Sequence, residues 1–255
     1  MPSKHKQMPS LYQRMFYPQH EGPYKIFMEY ARVIFVALLI AFVFRTFVAS
    51  PYKIPSSSMM PTLLIGDFLF VNKFTYGTHI PFTELRFAEE DPKRGDIVVF
   101  RKSLAGQPVT NYIKRVIGVP GDKIAYRDKH LYINDQKMTQ KEVGPFSYED
   151  EGRSIHSTVY IETLVDSDHQ ILKDPGQGEH VFSTVVPEGK FAVVGDNRDN
   201  SFDSRAWNRP YWSFIDKTEV VGRAEFLFWS WDSHFVPRFE RIFGTLRIQK
   251  NAEAE

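Results

Sequence analysis

With 255 residues, 42% of them hydrophobic and 25% charged, the chain can hold one or two domains with a real core, and it lacks the bias of a disordered protein. Its 32 basic and 31 acidic residues leave a net charge of +1, which excludes a global attraction to nucleic acid. Cysteine is absent, so neither a thiol nucleophile nor a disulfide framework is available, and the eight histidines show no paired spacing for zinc.

Residues 1–30 are polar, contain Pro2, Pro9, Pro18 and Pro23, and read as an arm without a core. Val33 to Phe44 is then an unbroken apolar run. A helix over Ala31 to Val48 is roughly 27 Å long, close to the hydrocarbon thickness of a bilayer. Arg32 and Arg45 lie near its ends, where long side chains snorkel to headgroups. A buried core helix is the alternative, disfavoured because the run leaves no polar face. A cleaved leader is disfavoured by the arm before the run and by Pro51 after its small residues. Lys4, Lys6, Arg14, Lys25 and Arg32 outnumber Glu21 and Glu29 in the N-terminal flank. That bias predicts a cytoplasmic arm over 1–30, a transmembrane helix over 31–49 and an exported domain over 50–255.

Beyond the span the pattern is that of strands, and the 22 Phe, 12 Tyr and 4 Trp suit a β-rich core. Asp67 to Asn72 follows a break at Gly66, and Gly95 to Phe100 follows a charged loop. Tyr112 to Val119 is β-branched and stops at Pro120-Gly121-Asp122. Lys123 to Tyr126 and His130 to Ile133 suggest a hairpin. From about 134 to 185 the chain is polar and irregular, with a short candidate strand at Thr158 to Ile161, and reads as an inserted, smaller β subdomain. Phe191 to Val194 and Val220 to Trp229 complete the strands. The predicted fold is therefore mostly β, an antiparallel-sheet core carrying an inserted subdomain, preceded by one N-terminal transmembrane helix. In the tail, Phe235, Phe239, Ile242, Phe243 and Leu246 recur at helical intervals, which predicts a docking segment over the core or an interfacial membrane helix.

Three segments carry chemistry. The first is the proline-bounded turn Ile54-Pro55-Ser56-Ser57-Ser58-Met59-Met60-Pro61-Thr62, just beyond the apolar run. A serine hydroxyl needs a base, and no histidine lies in any of the three segments. Lysine can serve once burial lowers its pKa from about 10.4 by penalising the ammonium form. Lys114, in Tyr112-Ile113-Lys114-Arg115-Val116-Ile117, interrupts an apolar strand and meets that need. Strand alternation places Tyr112, Lys114 and Val116 on one face and Ile113, Arg115 and Ile117 on the other. Chemistry alone leaves the choice among Ser56, Ser57 and Ser58 open. The third segment runs Gly195-Asp196-Asn197-Arg198-Asp199-Asn200-Ser201-Phe202-Asp203-Ser204-Arg205. It fails the calcium-loop pattern, because Arg198 occupies the third position from Asp196 and the sixth is not glycine. It reads instead as carboxylates, amides and arginines buried by mutual pairing.

In order, spacing and local sequence these segments resemble the type I signal peptidase family, membrane-bound serine proteases with a Ser–Lys dyad, from about Phe42 to Asp232. The resemblance selects Ser58, immediately before Met-Met-Pro, as nucleophile and Lys114 as its base. It gives Ser56 an oxyanion-hole role through its hydroxyl, beside the Ser58 backbone N–H. Ser201 would orient the lysine, Asp203 and Arg205 would support that geometry, and Asp196 would pair with Arg115. Ile54, Pro55, Met59, Leu63, Tyr112 and Ile113 match positions around shallow pockets for small residues. Ser57 falls where the family often has glycine, and the second span and cysteines of some relatives are missing.

The resemblance implies an endopeptidase of the bacterial inner membrane, single-pass, its catalytic domain on the periplasmic side. It would remove signal peptides from exported preproteins after Ala-x-Ala-like sites, with no metal or organic cofactor. Membrane lipids and the nearby secretion machinery are the further partners expected, and no nucleic acid. A dedicated or self-cleaving Ser–Lys processor is the alternative enzyme, and a membrane-tethered binding module the alternative from another class.

Overall fold

A computed structural model describes residues 23–43, 49–79, 86–104, 106, 108–150, 152–164, 167–176 and 178–246, which fall into two units divided at Val48/Ala49. In the first unit, helix α1 covers Pro23–Val43. Proline suits the first helical turn because its missing N–H has no intrahelical acceptor there. The helix thus starts inside the segment expected to be a coreless arm, and the arm of residues 1–30 is corrected to that extent. Lys25, Glu29 and Arg32 occupy its first half, and Phe35, Leu38, Ile40 and Phe42 are exposed. Among the described residues no helix is long and apolar enough to cross a membrane. The expected span is described only to Val43, and the rest of it, 44–48, lies outside the described residues, as does most of the arm.

The second unit is built of strands: β1 (Ala49–Lys53), β2 (Asp67–Asn72), β3 (Tyr76–His79), β4 (Arg86–Glu89), β5 (Ile97–Lys102), β6 (Thr110–Gly118), β7 (Lys123–Arg127) and β8 (His130–Ile133). They continue with β9 (Gln136–Lys137), β10 (Thr139–Asp150), β11 (Arg153–Leu164), β12 (Ser167–Lys173), β13 (His180–Val185), β14 (Lys190–Val194), β15 (Ile215–Asp216) and β16 (Val220–Ser230). A seven-stranded sheet in the order β1-β2-β16-β5-β6-β14-β15 forms the main body, with every named pairing antiparallel. In β2 buried and half-buried residues alternate, the pattern of a strand with one face on a core. Leu69 and Val71 pack there with Ile54, Met59, Leu63 and Ile97. A second core joins Tyr76, Val98, Phe100, Val116, Phe191 and Val193, with Tyr112 against it.

The inserted region is more regular than its composition suggests. β10, β11 and β12 form a three-stranded sheet, while β13, β7, β8 and β9 form a four-stranded one. The smaller architecture therefore takes in the β7–β8 hairpin and starts before residue 134. Asp128 and Lys129, at φ 49° and 60°, make the tight turn of that hairpin. β10 looked irregular because a bulge between Glu142 and Gly144 breaks its alternation and only Phe146 and Tyr148 mark its covered face.

The tail also differs from expectation. Only the single turn Phe239–Arg241 is helical, of the 3-10 kind, and Phe235 and Phe243 take positive φ. Thr245 instead bridges Phe226 and Trp231 bridges Pro237, while Leu246 packs on the first core. Arg241 donates to the buried Asp67 carboxylate at 2.6 Å and to the Thr62 carbonyl at 3.0 Å. The segment docks, as one of the two expectations had it, but as an irregular strap.

Candidate active site

The serine turn is shaped by its neighbours. Ile54 N–H donates to the Asp67 carbonyl and Gly66 N–H to the Ile54 carbonyl, closing a loop over residues 54–67. Gly66 has φ +92°, and a Cβ there would lie 2.2 Å from the Trp231 carbonyl oxygen, so only glycine fits. Inside the loop, Ser57–Met59 forms one 3-10 turn. Met59 and Leu63 are fully buried and root the turn in the core, while Ser58, just before Met59, is half-buried.

Lys114 reaches this turn from the middle of β6, opposite Val98 of β5. Its Nζ donates to Ser58 Oγ at 2.6 Å, and the side chain is 3% exposed. Burial pushes its pKa down to about 8, against the opposing charges of Asp203 and Asp196. An amine so displaced is neutral in a sizeable fraction of molecules near pH 7, and in that form it can take the proton of the hydroxyl it touches.

The three serines are in different situations. Ser57 is buried and its hydroxyl donates to Asp150. Ser56 is exposed, with its Oγ 3.4 Å from Ser58 Oγ. Ser58 carries the contact to lysine. The hydroxyl of Ser56 therefore lies beside the reacting position, where a second donor to an oxyanion is needed.

The polar cluster after β14 surrounds the dyad. Arg115 grips Asp196 with two bonds, Nε to Oδ1 at 2.8 Å and Nη2 to Oδ2 at 2.7 Å. Thr62 of the serine turn adds a bond to the same carboxylate at 2.6 Å. Burial alone would raise the Asp196 pKa, but the Arg115 charge and these bonds hold it below the usual carboxylate range. Asp203 receives Arg205 at 3.0 and 2.8 Å and the Gly195 N–H at 3.0 Å. Its pKa too is held down by Arg205 against the cost of burial. Ser201 Oγ is buried against Gly195 and near Asp203, yet no hydrogen bond of good geometry reaches it, from Lys114 or from any other described residue.

The apolar positions separate into two groups. Ile54, Met59 and Leu63 are buried core, with Ile113 packed on them, while Tyr112 belongs to the other core. Pro55 is exposed and Tyr112 and Ile113 are half-buried, so these three are the surface available to a peptide. Among the described residues no cluster of acids and histidines could hold a metal ion.

Several neighbours escape a reading of the sequence. Glu162 of β11 is fully buried, held by both Nη atoms of Arg198, by Gln140 at 2.8 Å and by His169 at 3.4 Å. The signal was a lone acid inside the apolar run Val159 to Leu164. Arg198 in turn presents its carbonyl to Arg205 Nη2 at 2.8 Å. Asn197 and Asp150 bond to the serine turn directly, and Tyr148 is joined to it through the Asn197 amide.

Comparison with known proteins finds relatives over most of the chain. The family model described as signal peptidase, peptidase S26 matches residues 27–229. Signal peptidase I of Pseudomonas aeruginosa is 38% identical over 229 residues, covering 85% of this chain and 78% of its own length. That of Pseudomonas fluorescens is 38% identical over 231 residues, with the same coverage of each chain. That of Buchnera aphidicola subsp. Acyrthosiphon pisum is 35% identical over 248 residues, covering 82% and 77%. With its paired serine and lysine inside the matched region, this chain belongs to the signal peptidase family of serine endopeptidases.

Proposed function

We propose that this enzyme removes signal peptides from exported preproteins, cutting after small residues at Ala-x-Ala-like sites, with Ser58 as nucleophile and Lys114 as general base. The observation that carries the reading is the buried Lys114 Nζ, its pKa displaced to about 8, at 2.6 Å from Ser58 Oγ. Ser58 Oγ attacks the scissile carbonyl carbon as its proton passes to the neutral amine. The charge that develops on the carbonyl oxygen meets the Ser58 backbone N–H and the Ser56 hydroxyl. The C–N bond then breaks as the lysine ammonium returns the proton to the leaving amine. The same amine takes a proton from the water that attacks the acyl ester, and the ammonium gives it to Ser58 Oγ as the acyl C–O bond breaks.

Asp203 and Arg205 act on the lysine through their charges, Ser201 packs beside Gly195 without a bond to Lys114, and the Asp196–Arg115 pair fixes β6 against the strand end that carries the polar cluster. Pro55, Tyr112 and Ile113 form the exposed lining of the small-residue subsites, over the buried Ile54, Met59 and Leu63. The apolar stretch of residues 31–48 anchors the chain in the bacterial inner membrane, with the catalytic unit on the periplasmic side. Membrane lipids and the adjacent secretion machinery are its surroundings. The exposed apolar side chains of α1 support that anchor.

The test is cleavage of a purified preprotein carrying an Ala-x-Ala site, in detergent micelles, by the wild type and by Ser58→Ala. Cutting at that site by the wild type alone is expected. A folded wild type that leaves the preprotein intact would point to a dedicated processor or a binding module, and cutting by Ser58→Ala would move the nucleophile to Ser56 or Ser57.

A further inference from the structure

Ser57, which the mechanism does not use, lies at the contact between the serine turn and the three-stranded sheet. Its hydroxyl donates to Asp150, the last residue of β10. Its carbonyl accepts from Asn197 Nδ2 at 3.2 Å, and the same amide group donates to the Tyr148 hydroxyl at 2.7 Å. The Asn197 main-chain N–H donates to the Ser58 carbonyl at 3.1 Å. One buried asparagine therefore ties two successive carbonyls of the turn to a tyrosine of β10. Apolar contact runs alongside: Met60, Leu64 and Ile65 of the loop pack with Tyr148, Val159 and Leu172 of the three strands. The far strand is fixed as well, since Leu172 N–H donates to the Asp196 carbonyl and Arg198 N–H to the Leu172 carbonyl, both at 2.9 Å.

The turn needs such support. It is a single 3-10 turn, and Ser56 at its start makes no side-chain capping bond, so its conformation is held from outside. The contact to be held is demanding, because a misplacement of about 1 Å between reacting groups costs on the order of a hundredfold in rate. We propose that the three-stranded sheet clamps the nucleophile turn, with Tyr148 and Asp150 as positioning residues that act through Asn197 and Ser57 on Ser58. The inference rests on the proposed role of Ser58.

Three variants test it. Tyr148→Phe keeps the ring packed with Met60 and deletes only the hydroxyl, while Ser57→Ala removes the donor and Asp150→Ala the acceptor of the second link. The clamp requires about a tenfold fall in kcat for each, KM within about twofold of wild type, and no change in cooperative melting. Ser57→Ala combined with Asp150→Ala should lose no more than the worse of the two alone, since both remove the same bond. In parallel, amide hydrogen exchange at Met60 and Leu63 should quicken at least tenfold in Tyr148→Phe. Unchanged exchange overturns the clamp, whatever the activity. Unchanged kcat overturns it too, as does a raised KM alone, which would make β10 a substrate-contacting edge. Should the wild type cut no preprotein, the signal-peptide reading falls, and exchange alone decides whether the sheet holds the turn.

Discussion

Lys114 donates to Ser58 across 56 positions of sequence, and the same burial that makes this contact short also strips the amine of part of its proton affinity. The neutral form is the one that accepts a proton, so kcat/KM should rise with pH through an apparent pKa of about 8. A profile already flat below pH 7 would refute lysine as the base. Lys114→Met and Ser58→Ala should each lower kcat by roughly a thousandfold or more, as removal of a nucleophile or its base does elsewhere.

Asp203 is the first charge working against that displacement, since a nearby carboxylate favours the ammonium form. Asp203→Asn should therefore move the acidic limb of kcat/KM to lower pH, and the Arg205 charge left without its partner pushes the same way. The measurement is the pH profile of the variant beside that of wild type. A limb displaced to higher pH would mean that Asp203 does not act on Lys114 through its charge.

The parts of the fold that the sequence makes legible are those with one buried face. β2 lies at Asp67–Asn72 as its apolar pattern indicates, and β14 and β16 follow the runs at Phe191 to Val194 and Val220 to Trp229 within one residue. The tail misleads because helical spacing of phenylalanines says nothing about what the backbone is bonded to. Phe235, Phe239 and Phe243 are all largely exposed, and the chain there is held by Arg238 on the Ile65 carbonyl and Arg241 on Asp67. At the site, the serine turn, the Lys114 strand and the polar segment stand out because each is contiguous, whereas the choice of Ser58 and the pairing of Asp196 with Arg115 rest on the family resemblance. Glu162 does not stand out, because its partner Arg198 is 36 residues away and a single acid in a strand ordinarily faces water.

Buried His169 and Glu162 should both cost stability as the pH falls. His169 is pushed below its ordinary pKa by burial and by the Arg115 charge, so the native state holds it neutral. A depressed pKa gives stability that is whole above the unfolded value, about 6.5, and is lost as pH falls toward the folded one. Glu162, held down by Arg198 against the cost of burial, adds a second loss at more acidic pH, below about 4. Thermal melts should therefore show Tm declining from about pH 6.5 downward. One proton changes stability by at most about 1.4 kcal/mol per pH unit, roughly 3–5 °C for a unit of this size. His169→Gln should make the decline between pH 6.5 and 5 shallower. An unaltered decline would assign it to other groups, His130 first, since burial pushes that side chain in the same direction.

Gly195 couples the polar cluster to the nucleophile by contact alone. A Cβ there would lie 2.2 Å from Ser201 Oγ and 2.4 Å from the Ser58 carbonyl oxygen. The serine hydroxyl could rotate away, but the carbonyl is main chain of the serine turn and is already held by the Asn197 N–H. Gly195→Ala must therefore push the turn off β14, costing about 1–3 kcal/mol of stability as overpacking commonly does. The loss of kcat should be larger than that cost implies, on the order of a hundredfold, because the displaced atoms belong to the residue that attacks. Adding Ser201→Ala removes the hydroxyl clash but leaves the Ser201 Cβ at 2.6 Å and the Ser58 carbonyl oxygen at 2.4 Å, so it should restore little of the melting and hardly any activity. Steady-state kinetics and thermal melts of the two variants decide the matter. Near-wild-type kcat in Gly195→Ala would mean that the turn tolerates movement, and that the short contact between Ser58 and Lys114 is not held by its fit against Gly195.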